Sequence, residues 1–410
     1  MVKMNLCSSS SLTRGLRNLM RGLPLAAERL YLAHGTSANS FAAAFDPDLE
    51  RHVTSLGLVA HKRQAALGVT MAFFDPLCSS DELPALLDDF LAAHAGDRIA
   101  FWKVSAPVAA ELARRGWRVA NYGVEHCVDL QHFSLGGPDR RGLRRQVNAA
   151  RRAGIVIEPV SSSSWPEIES VTSQWLATRT RRQEIKLATR RTPHRDEVHC
   201  TKLLARAPDG SCVGWAAFDY LYEDEKVVGV GLNAVRWLPV KPSKDTNGCG
   251  SGIPGVASFL ALEGASMLRD LHAPDGPFTL ALGESPFATM ADGALCEPIT
   301  DSGSPVRRVT QLHASAAVPT APGGGVAWAS HRALCGKWRG SAVSADFPRR
   351  AGFLEGAFAV LGKCGEPLYS IRGLDGWKRK WRADKQVTYC VVNHQLPLHE
   401  TLAGLALIVL

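Results

Sequence analysis

Motifs for binding metals and for crossing a membrane are missing from this sequence. Its ten cysteines are scattered, and no two have the C-x-x-C spacing of a zinc knuckle or a thioredoxin-type motif. The thirteen histidines include no H-E-x-x-H pair, so no metal centre is predicted. No apolar run approaches the roughly 20 residues that a helix needs to span a bilayer. Scattered thiols in a long chain are typical of reduced cysteines, which favours a cytoplasmic location.

Acidic residues are fewer than basic ones, and the difference is concentrated in one region. The 410 residues carry a net charge of +8 and are 46% hydrophobic, the composition of a folded chain with two or three domains. Between residues 135 and 191, twelve Lys and Arg stand against five Asp and Glu. Such an excess favours a polyanionic partner, either RNA or an acidic membrane surface.

Residues 1–33 form a basic N-terminal extension. Its arginines lie between residues 14 and 29, and no acidic residue precedes Glu28. The segment has no long apolar core with a small-residue cleavage site, so a secretory signal is not predicted. It fits an organellar targeting segment, a basic helix on a membrane surface or an ordinary N-terminal helix. We expect a cytoplasmic protein, with a peripheral membrane position or organellar targeting as the alternatives.

Short apolar runs alternate with amphipathic ones along the chain, which predicts a mixed α/β fold. Helices are predicted over Leu83–His94, Pro107–Arg115, Arg140–Ala153, Ile168–Thr178 and Ile253–Leu271. Strands are predicted over Ile99–Val104, Trp117–Tyr122, Val124–Leu130, Ile155–Val160, Lys202–Ala207, Cys212–Leu221, Val227–Trp237 and Phe278–Leu282.

A serine-rich stretch, Ser161–Ser164, marks the expected boundary between two lobes. The first lobe covers residues 34–160 and the second covers residues 161–392. Within the second, residues 291–350 have the composition of an irregular insertion. Residues 393–410 form a C-terminal tail.

The densest group of reactive side chains lies between residues 365 and 381. It contains Glu366, Tyr369, Lys378 and Lys380. Cations so grouped can hold a phosphate, and a carboxylate beside them can act as a base or bind an ammonium group.

The region from residue 375 to residue 381 allows two interpretations. If it is helical, Lys378 and Arg382 share one face and Lys380 points elsewhere. The alternative is a solvated surface helix with Trp377 and Trp381 packed inward.

Three further candidates lie near predicted strands. Asn233 and Arg236 are an odd number of positions apart, so they face opposite sides of a regular strand unless a bulge intervenes. Glu284 follows the strand Phe278–Leu282, where it is either a catalytic carboxylate or an exposed turn residue.

An arginine-rich helix is predicted over residues 140–153. Its polar side carries Arg141, Arg144, Arg145, Asn148 and Arg152. Such a side neutralises several phosphates, and no aromatic residues interleave it to stack single-stranded bases. A purely solubilising face is the alternative.

Taken in order, these segments resemble the C-terminal domain of bacterial aminoacyl-phosphatidylglycerol synthases, of the lysyl and alanyl types. The similarity covers most of residues 34–392. The matching segments are His34–Ser40, Phe74–Pro76 at a Gly-Asp-Pro turn, Gly123–Leu130 against G-E-E-x-x-V-D-L, Phe133–Leu135 with the arginine helix, Trp175–Arg179 against W-L-x-x-R, Leu282–Pro286 against L-G-M-A-P, and Gly365–Lys380 against G-E-x-x-Y-N…G-L-R-x-F-K-x-K.

The resemblance implies two tandem GNAT-like lobes, each a mixed sheet flanked by helices. It also implies transfer of an aminoacyl group from aminoacyl-tRNA to a lipid hydroxyl such as that of phosphatidylglycerol. The partners would be aminoacyl-tRNA and an anionic membrane lipid, with no cofactor and no metal. By resemblance, the catalytic group comprises Glu366, Arg236, Asn233, Lys378 and Lys380. The substrate-binding group comprises Arg141, Arg144, Arg145, Arg179, Glu284 and Tyr369.

The sequence departs from the family pattern at two places. Asn233 stands where the family's D-L-M-R motif has a carboxylate, and Asp375 stands where it has an arginine. One alternative is a GNAT-type N-acyltransferase that uses acyl-CoA, but no glycine-rich pyrophosphate loop precedes a helix. Another is a non-catalytic protein that binds tRNA or a membrane surface through a decayed site. Asn233 supports this interpretation, and the presence of the family's motif over Glu366–Lys380 argues against it.

Overall fold

The computed structural model describes residues 25–178, 197–239, 252–287, 354–358 and 371–393. Six predicted features lie wholly or mostly outside the described residues: Arg179, Glu366, Tyr369, the N-terminal extension 1–33 as far as residue 24, the insertion 291–350, and nearly all of the tail 393–410. Within the described ranges no helix is long and apolar enough to cross a membrane. The same ranges contain no group of three or more His, Cys, Asp or Glu residues arranged to hold a metal ion.

The described strands join into one mixed sheet, so the predicted α/β class is confirmed. The strands are β1 (Glu50–Val53), β2 (Leu58–Gln64), β3 (Val69–Leu77), β4 (Arg98–Val104), β5 (Arg118–Asp129), β6 (Val156–Pro159), β7 (Cys200–Arg206), β8 (Cys212–Glu223), β9 (Lys226–Trp237), β10 (Thr279–Pro286) and β11 (Asp384–Val392). Their order across the sheet is β1-β2-β3-β4-β11-β5-β10-β9-β8-β7-β6.

Helices cover both faces of this sheet. They are α1 (residues 25–34), α2 (Ser40–Phe45), α3 (Leu83–Ala93), α4 (Ala106–Arg114), α5 (Arg141–Arg152), α6 (Trp165–Ala177), α7 (Val256–His272), α8 (residues 354–358) and α9 (Ile371–Arg379). One face, here called the α1 face, packs against α1, α2, α6 and α8. The other, the α7 face, packs against α3, α4, α5, α7 and α9.

Alternation along β8 shows how the residue pattern produces these two faces. Ala216 and Phe218 join the core under α7, whereas Trp215 and Ala217 join the core under α6. Strand residues point alternately to opposite sides, so a strand covered on both sides is apolar throughout. A charged residue inside such a strand is therefore buried, and it needs a partner.

Most predicted elements are confirmed within a few residues, and two differences affect the central strands. The predicted strands Trp117–Tyr122 and Val124–Leu130 are one strand, β5, which pairs with β11 along most of its length. Strand β11 was not predicted, and it lies between β4 and β5. The sheet therefore runs without a break past residue 161, and the proposed lobe boundary stays a prediction.

The parallel strands β9 and β10 separate where their ladder ends. Strands β9 and β10 pair only over three positions, ending at Ala281 opposite Gly231, although both strands continue. Gly283 then adopts a left-handed conformation (φ +75°), and β10 shifts its register against β5. Bulges of this kind redirect side chains. The gap that follows is called the β9–β10 opening below.

Candidate active site

A buried carboxylate lies at the β9–β10 opening. The side chain of Glu284 is only 4% exposed, and its Oε2 lies 3.3 Å from Nζ of Lys103 on β4. Its Oε1 accepts a hydrogen bond from Oγ1 of Thr388 on β11. Glu284 is therefore part of β10 and is not an exposed turn residue. The bulge at Gly283 sets it on the sheet with partners from two other strands.

Lys378 reaches the same place from the opposite face of the sheet. It belongs to α9, which is anchored on the α7 face by Trp377 and Trp381. Its Nζ donates a hydrogen bond of 2.7 Å to the backbone oxygen of Glu284. A methyl group built on Gly283 would lie 3.8 Å from this Nζ and 3.9 Å from the carbonyl oxygen of Leu232 on β9. The amine of Lys378 therefore lies in the β9–β10 opening.

Burial changes the acid–base behaviour of Lys378. The residue is 3% exposed, and desolvation lowers the pKa of its amine to about 7, even though Glu284 and Glu125 act in the opposite direction. The charge of Lys103 lowers this pKa further. Near neutral pH the amine therefore exists in both forms. The neutral form can accept a proton, and the ammonium can stabilise a developing negative charge.

Glu125 completes a compact group of charges. It lies directly opposite Glu284 in the β5–β10 pairing, and it is 6% exposed. Cys127, two positions along β5, packs with Ala38 on the α1 face, so Glu125 and Glu284 lie on that face. Lys103, Glu125, Glu284, Lys378 and Thr388 are called the central charge cluster below. Within this cluster both glutamates act on the amine of Lys378, and Lys103 acts against them.

A second acid–base pair supports α9 from the α7 face. Asp375 Oδ1 lies 3.5 Å from Nε2 of His126, a residue that is 1% exposed, and the other oxygen of Asp375 pairs with Arg379. Burial raises the pKa of Asp375, but its contacts with His126 and Arg379 outweigh this and hold the pKa below its usual value. Desolvation lowers the pKa of His126. Asp375 is thus a structural partner of β5 in this chain.

A bulge in β9 brings Asn233 and Arg236 to one face. Ala234 pairs with Ala217 and Leu232 with Phe218, which leaves Asn233 as the extra residue. The amide of Asn233 donates a hydrogen bond to a carboxylate oxygen of Asp219 on β8. Asp219 is two positions from Ala217, so it lies on the α1 face. The bulge that the odd spacing requires is therefore present.

Arg236 is buried on the same side. Its guanidinium lies 4.0 Å from the centre of the Trp175 ring and 5.9 Å from that of Trp215. Its Nη1 also donates to the carbonyl oxygen of Val235. Stacking of this kind fixes the planar guanidinium in one orientation.

The predicted arginine helix is α5, and its arginines differ in what they do. Arg141 and Arg145 are exposed. Arg144 is half-buried, and its Nη1 donates to the carbonyl oxygens of Leu135 (2.6 Å) and Gly137 (2.9 Å). Arg144 therefore secures the loop that precedes the helix.

Lys380 is separate from Lys378. Helix α9 ends at Arg379, and Arg382 has a left-handed backbone (φ +51°), so the predicted shared face of Lys378 and Arg382 does not form. The stem of Lys380 packs beside Gly142, where a built methyl group would lie 3.9 Å from its Cδ. Lys380 thus extends the basic surface of α5.

A family model described as phosphatidylglycerol lysyltransferase, C-terminal, matches residues 29–240. The match spans more than half of the chain and includes Lys103, Glu125, Asp219 and Asn233. The chain belongs to this family. It is therefore a transferase that moves an aminoacyl group to phosphatidylglycerol.

Two solved structures share its fold. The C-terminal domain of a proposed lysylphosphatidylglycerol synthetase from Agrobacterium fabrum is 18% identical, with a TM-score of 0.61 over 94% of this chain and 95% of that one. L-PGS from Bacillus licheniformis is 16% identical, with a TM-score of 0.61 over 94% of this chain and 96% of that one. No match was found among curated protein sequences.

Sequence patterns did not predict three members of the central charge cluster as site residues: Lys103, Glu125 and Thr388. A signal for Lys103 was present, because a lysine interrupts the apolar run of a predicted strand, and lysines are seldom buried without a partner. Asp219 interrupts β8 in the same way. Nothing local indicates which residues these charges meet, because each partner lies on a strand distant in the sequence.

For this lysyltransferase-family chain, Lys378→Met tests whether the amine is buried as described. In the unfolded chain the pKa of the lysine is 10.5, and in the folded chain it is about 7. Between these values the unfolded state binds more protons, so this residue's contribution to the free energy of unfolding rises with pH. Urea unfolding at a series of pH values measures the free energy of unfolding of both proteins. We expect the wild-type value minus the Lys378→Met value to rise between about pH 7 and 10.

The matched control is Lys226→Met, which removes an exposed lysine at the start of β9. Its pH profile should follow that of the wild type. A flat difference for Lys378→Met over the same window would contradict the buried position of this amine.

Proposed function

We propose that this chain takes its aminoacyl group from aminoacyl-tRNA and transfers it to a hydroxyl of phosphatidylglycerol at the β9–β10 opening. The observation that supports this site best is the buried amine of Lys378, held beside Glu284 where the two strands part. Family membership supplies the lipid acceptor and the class of reaction. The tRNA donor and the site residues are the proposed parts.

The reaction exchanges one ester for another. The lipid hydroxyl oxygen bonds to the aminoacyl carbonyl carbon, and the bond from that carbon to the tRNA ribose oxygen breaks. The proton of the lipid hydroxyl ends on the released ribose oxygen. Because both compounds are esters, no cofactor and no metal ion is needed. The site must supply a proton acceptor for the attacking hydroxyl and positive charge for the tetrahedral oxyanion.

Lys378 fits both requirements in turn. As a neutral amine it accepts the proton of the lipid hydroxyl, and as an ammonium it stabilises the oxyanion and returns the proton to the ribose oxygen. A pKa of about 7 suits this exchange, because a group that titrates near the working pH transfers protons in both directions. Lys103 and Thr388 hold Glu284 in place, so that its backbone oxygen orients the amine. We retain Glu366 as a second candidate base or ammonium partner on the strength of the family resemblance.

The substrates are both anionic, and a basic surface lies beside α9. Arg141 and Arg145 are exposed on α5, the stem of Lys380 packs against that helix, and Arg382 is 59% exposed in its side chain. Such a surface attracts tRNA phosphates without reading bases. We assign it to the tRNA donor, and we infer that the protein works peripherally at a membrane, where the acceptor lies.

A donor panel tests this proposal. Purified protein is incubated with vesicles that contain phosphatidylglycerol and with radiolabelled lysyl-tRNA, alanyl-tRNA or acyl-CoA, and the label in the extracted lipid is measured. We expect label from an aminoacyl-tRNA and none from acyl-CoA. Lys378→Met should lower the rate by about 10²–10⁴-fold, because it removes the proton acceptor. Lys226→Met is the control with full activity.

Label transferred only from acyl-CoA would overturn the proposed donor. Full activity in Lys378→Met would instead overturn the proposed site while leaving the reaction intact. The two failures are therefore separable in one assay.

The exposed arginines generate a second expectation. Neutralising Arg141 and Arg145 together as Arg141→Gln/Arg145→Gln removes two phosphate contacts, so the log–log slope of tRNA affinity against salt should fall by about two units. Filter binding at a series of salt concentrations measures this slope. The pair Arg118→Gln/Lys226→Gln removes the same charge from other surface positions and should leave the slope unchanged. Equal slopes for wild type and the Arg141/Arg145 variant would exclude α5 as the tRNA contact.

A further inference from the structure

A carboxylate lies next to the amide that departs from the family pattern. Asp219 is 1% exposed on β8, and it accepts a hydrogen bond from Nδ2 of Asn233. In the pairing of β8 with β9, Asp219 lies opposite Gly231, two positions before Asn233. The bulge at Asn233 leaves its side chain on the same face as Asp219, within hydrogen-bond reach. The carboxylate absent from position 233 is thus present on the neighbouring strand.

The hydrogen bond fixes which end of the amide faces away from Asp219. Because Nδ2 is the donor to Asp219, the carbonyl oxygen Oδ1 points away from it, and such an oxygen can accept a hydrogen bond. A carboxylate behind an amide also increases the negative potential at that oxygen. The pair therefore presents an oriented acceptor backed by an acid.

Asn233 is next in sequence to a residue at the edge of the β9–β10 opening. Leu232, the residue before Asn233, directs its carbonyl oxygen to within 3.9 Å of the position that a methyl group on Gly283 would take. The amine of Lys378 lies 3.8 Å from the same point. Asp219 and Asn233 lie on the α1 face, as do Glu125 and Glu284. Asn233 thus directly follows a residue that borders this opening, on the face where Glu284 lies.

We propose that Asn233 binds the α-ammonium of the aminoacyl group through Oδ1, and that Asp219 is the positioning residue that orients this amide. The inference rests on the proposed function, and it deepens it by naming the substrate class. Accepted groups carry a free α-amine, and groups whose amine is acylated are excluded.

The same geometry explains why an amide suits position 233. An aspartate there would place two carboxylates in contact in a buried site, and like charges so close cannot both ionise readily. One would take up a proton, and the arrangement of donor and acceptor would change. The asparagine is therefore the complement of Asp219 and not a sign of decay.

A charge exchange tests this inference. We expect Asp219→Asn and Asn233→Asp each to lower kcat/KM for the aminoacyl-tRNA donor by about 10–100-fold, the range for a lost hydrogen bond to a charged group. The double variant Asp219→Asn/Asn233→Asp restores one carboxylate and one amide, and should recover to within about threefold of wild type. Asp209→Asn, a change at an exposed turn, is the control with unchanged kcat/KM.

A second measurement compares two donors. Wild type should use the aminoacyl-tRNA that it accepts in the donor panel at least tenfold better than the same donor with its α-amine acetylated, and Asp219→Asn should lose most of this preference. A purely structural role for Asp219 would not alter the preference.

The outcomes separate the two proposals. If wild type transfers no aminoacyl group from any tRNA, the proposed function fails. If wild type transfers but uses the acetylated donor equally well, or if the double variant is no better than the worse single variant, the function stands and this inference is overturned.

Discussion

The ion pair between Lys103 and Glu284 is the constraint on which the centre of this fold depends. Its two charges lie on β4 and β10, with β11 and β5 between them in the sheet. Buried charges are costly unless their geometry and remaining hydrogen bonds are satisfied. Thr388 on the intervening β11 donates to the other oxygen of Glu284, so β4, β10 and β11 are tied to one arrangement. Both halves of the chain thereby contribute to the central charge cluster.

The chemistry follows from the same arrangement. The bulge at Gly283 that presents Glu284 also ends the contact between β9 and β10, and the gap admits the amine of Lys378 from the opposite face. Burial then brings the pKa of this lysine to about 7. A bulge in the neighbouring β9 sets Asn233 against Asp219. Two local irregularities thus account for both features: the bulge in β10 leaves room for the buried amine, and the bulge in β9 orients the amide.

Local sequence patterns predicted the regular elements between residues 83 and 282 well, but not the strands β1, β2 and β3 before them. The 3–4 apolar spacing predicted α3 almost to its ends, and the apolar run of β9 was recognised with its odd-spaced polar pair. Local patterns could not predict that β11 lies between β4 and β5, because strand pairing over long sequence separations leaves no local periodicity. The burial of Lys378 was hidden for a related reason: a helix rich in Lys and Arg resembles a solvated one until its partner strands are known. The order of the motifs along the chain indicated the family, which composition alone did not indicate.

The most direct test of the account is a double-mutant cycle on the transfer reaction, with Lys103→Met, Glu284→Gln and the combined variant compared with wild type. Single-turnover rates are expressed per folded molecule, so that loss of stability does not count as loss of activity. If Lys103 and Glu284 act as one unit in one active centre, each single variant slows transfer and the double variant is no slower than the slower single one. Losses that multiply in the double variant would show that the two residues act independently, and would contradict a single site shared by both halves.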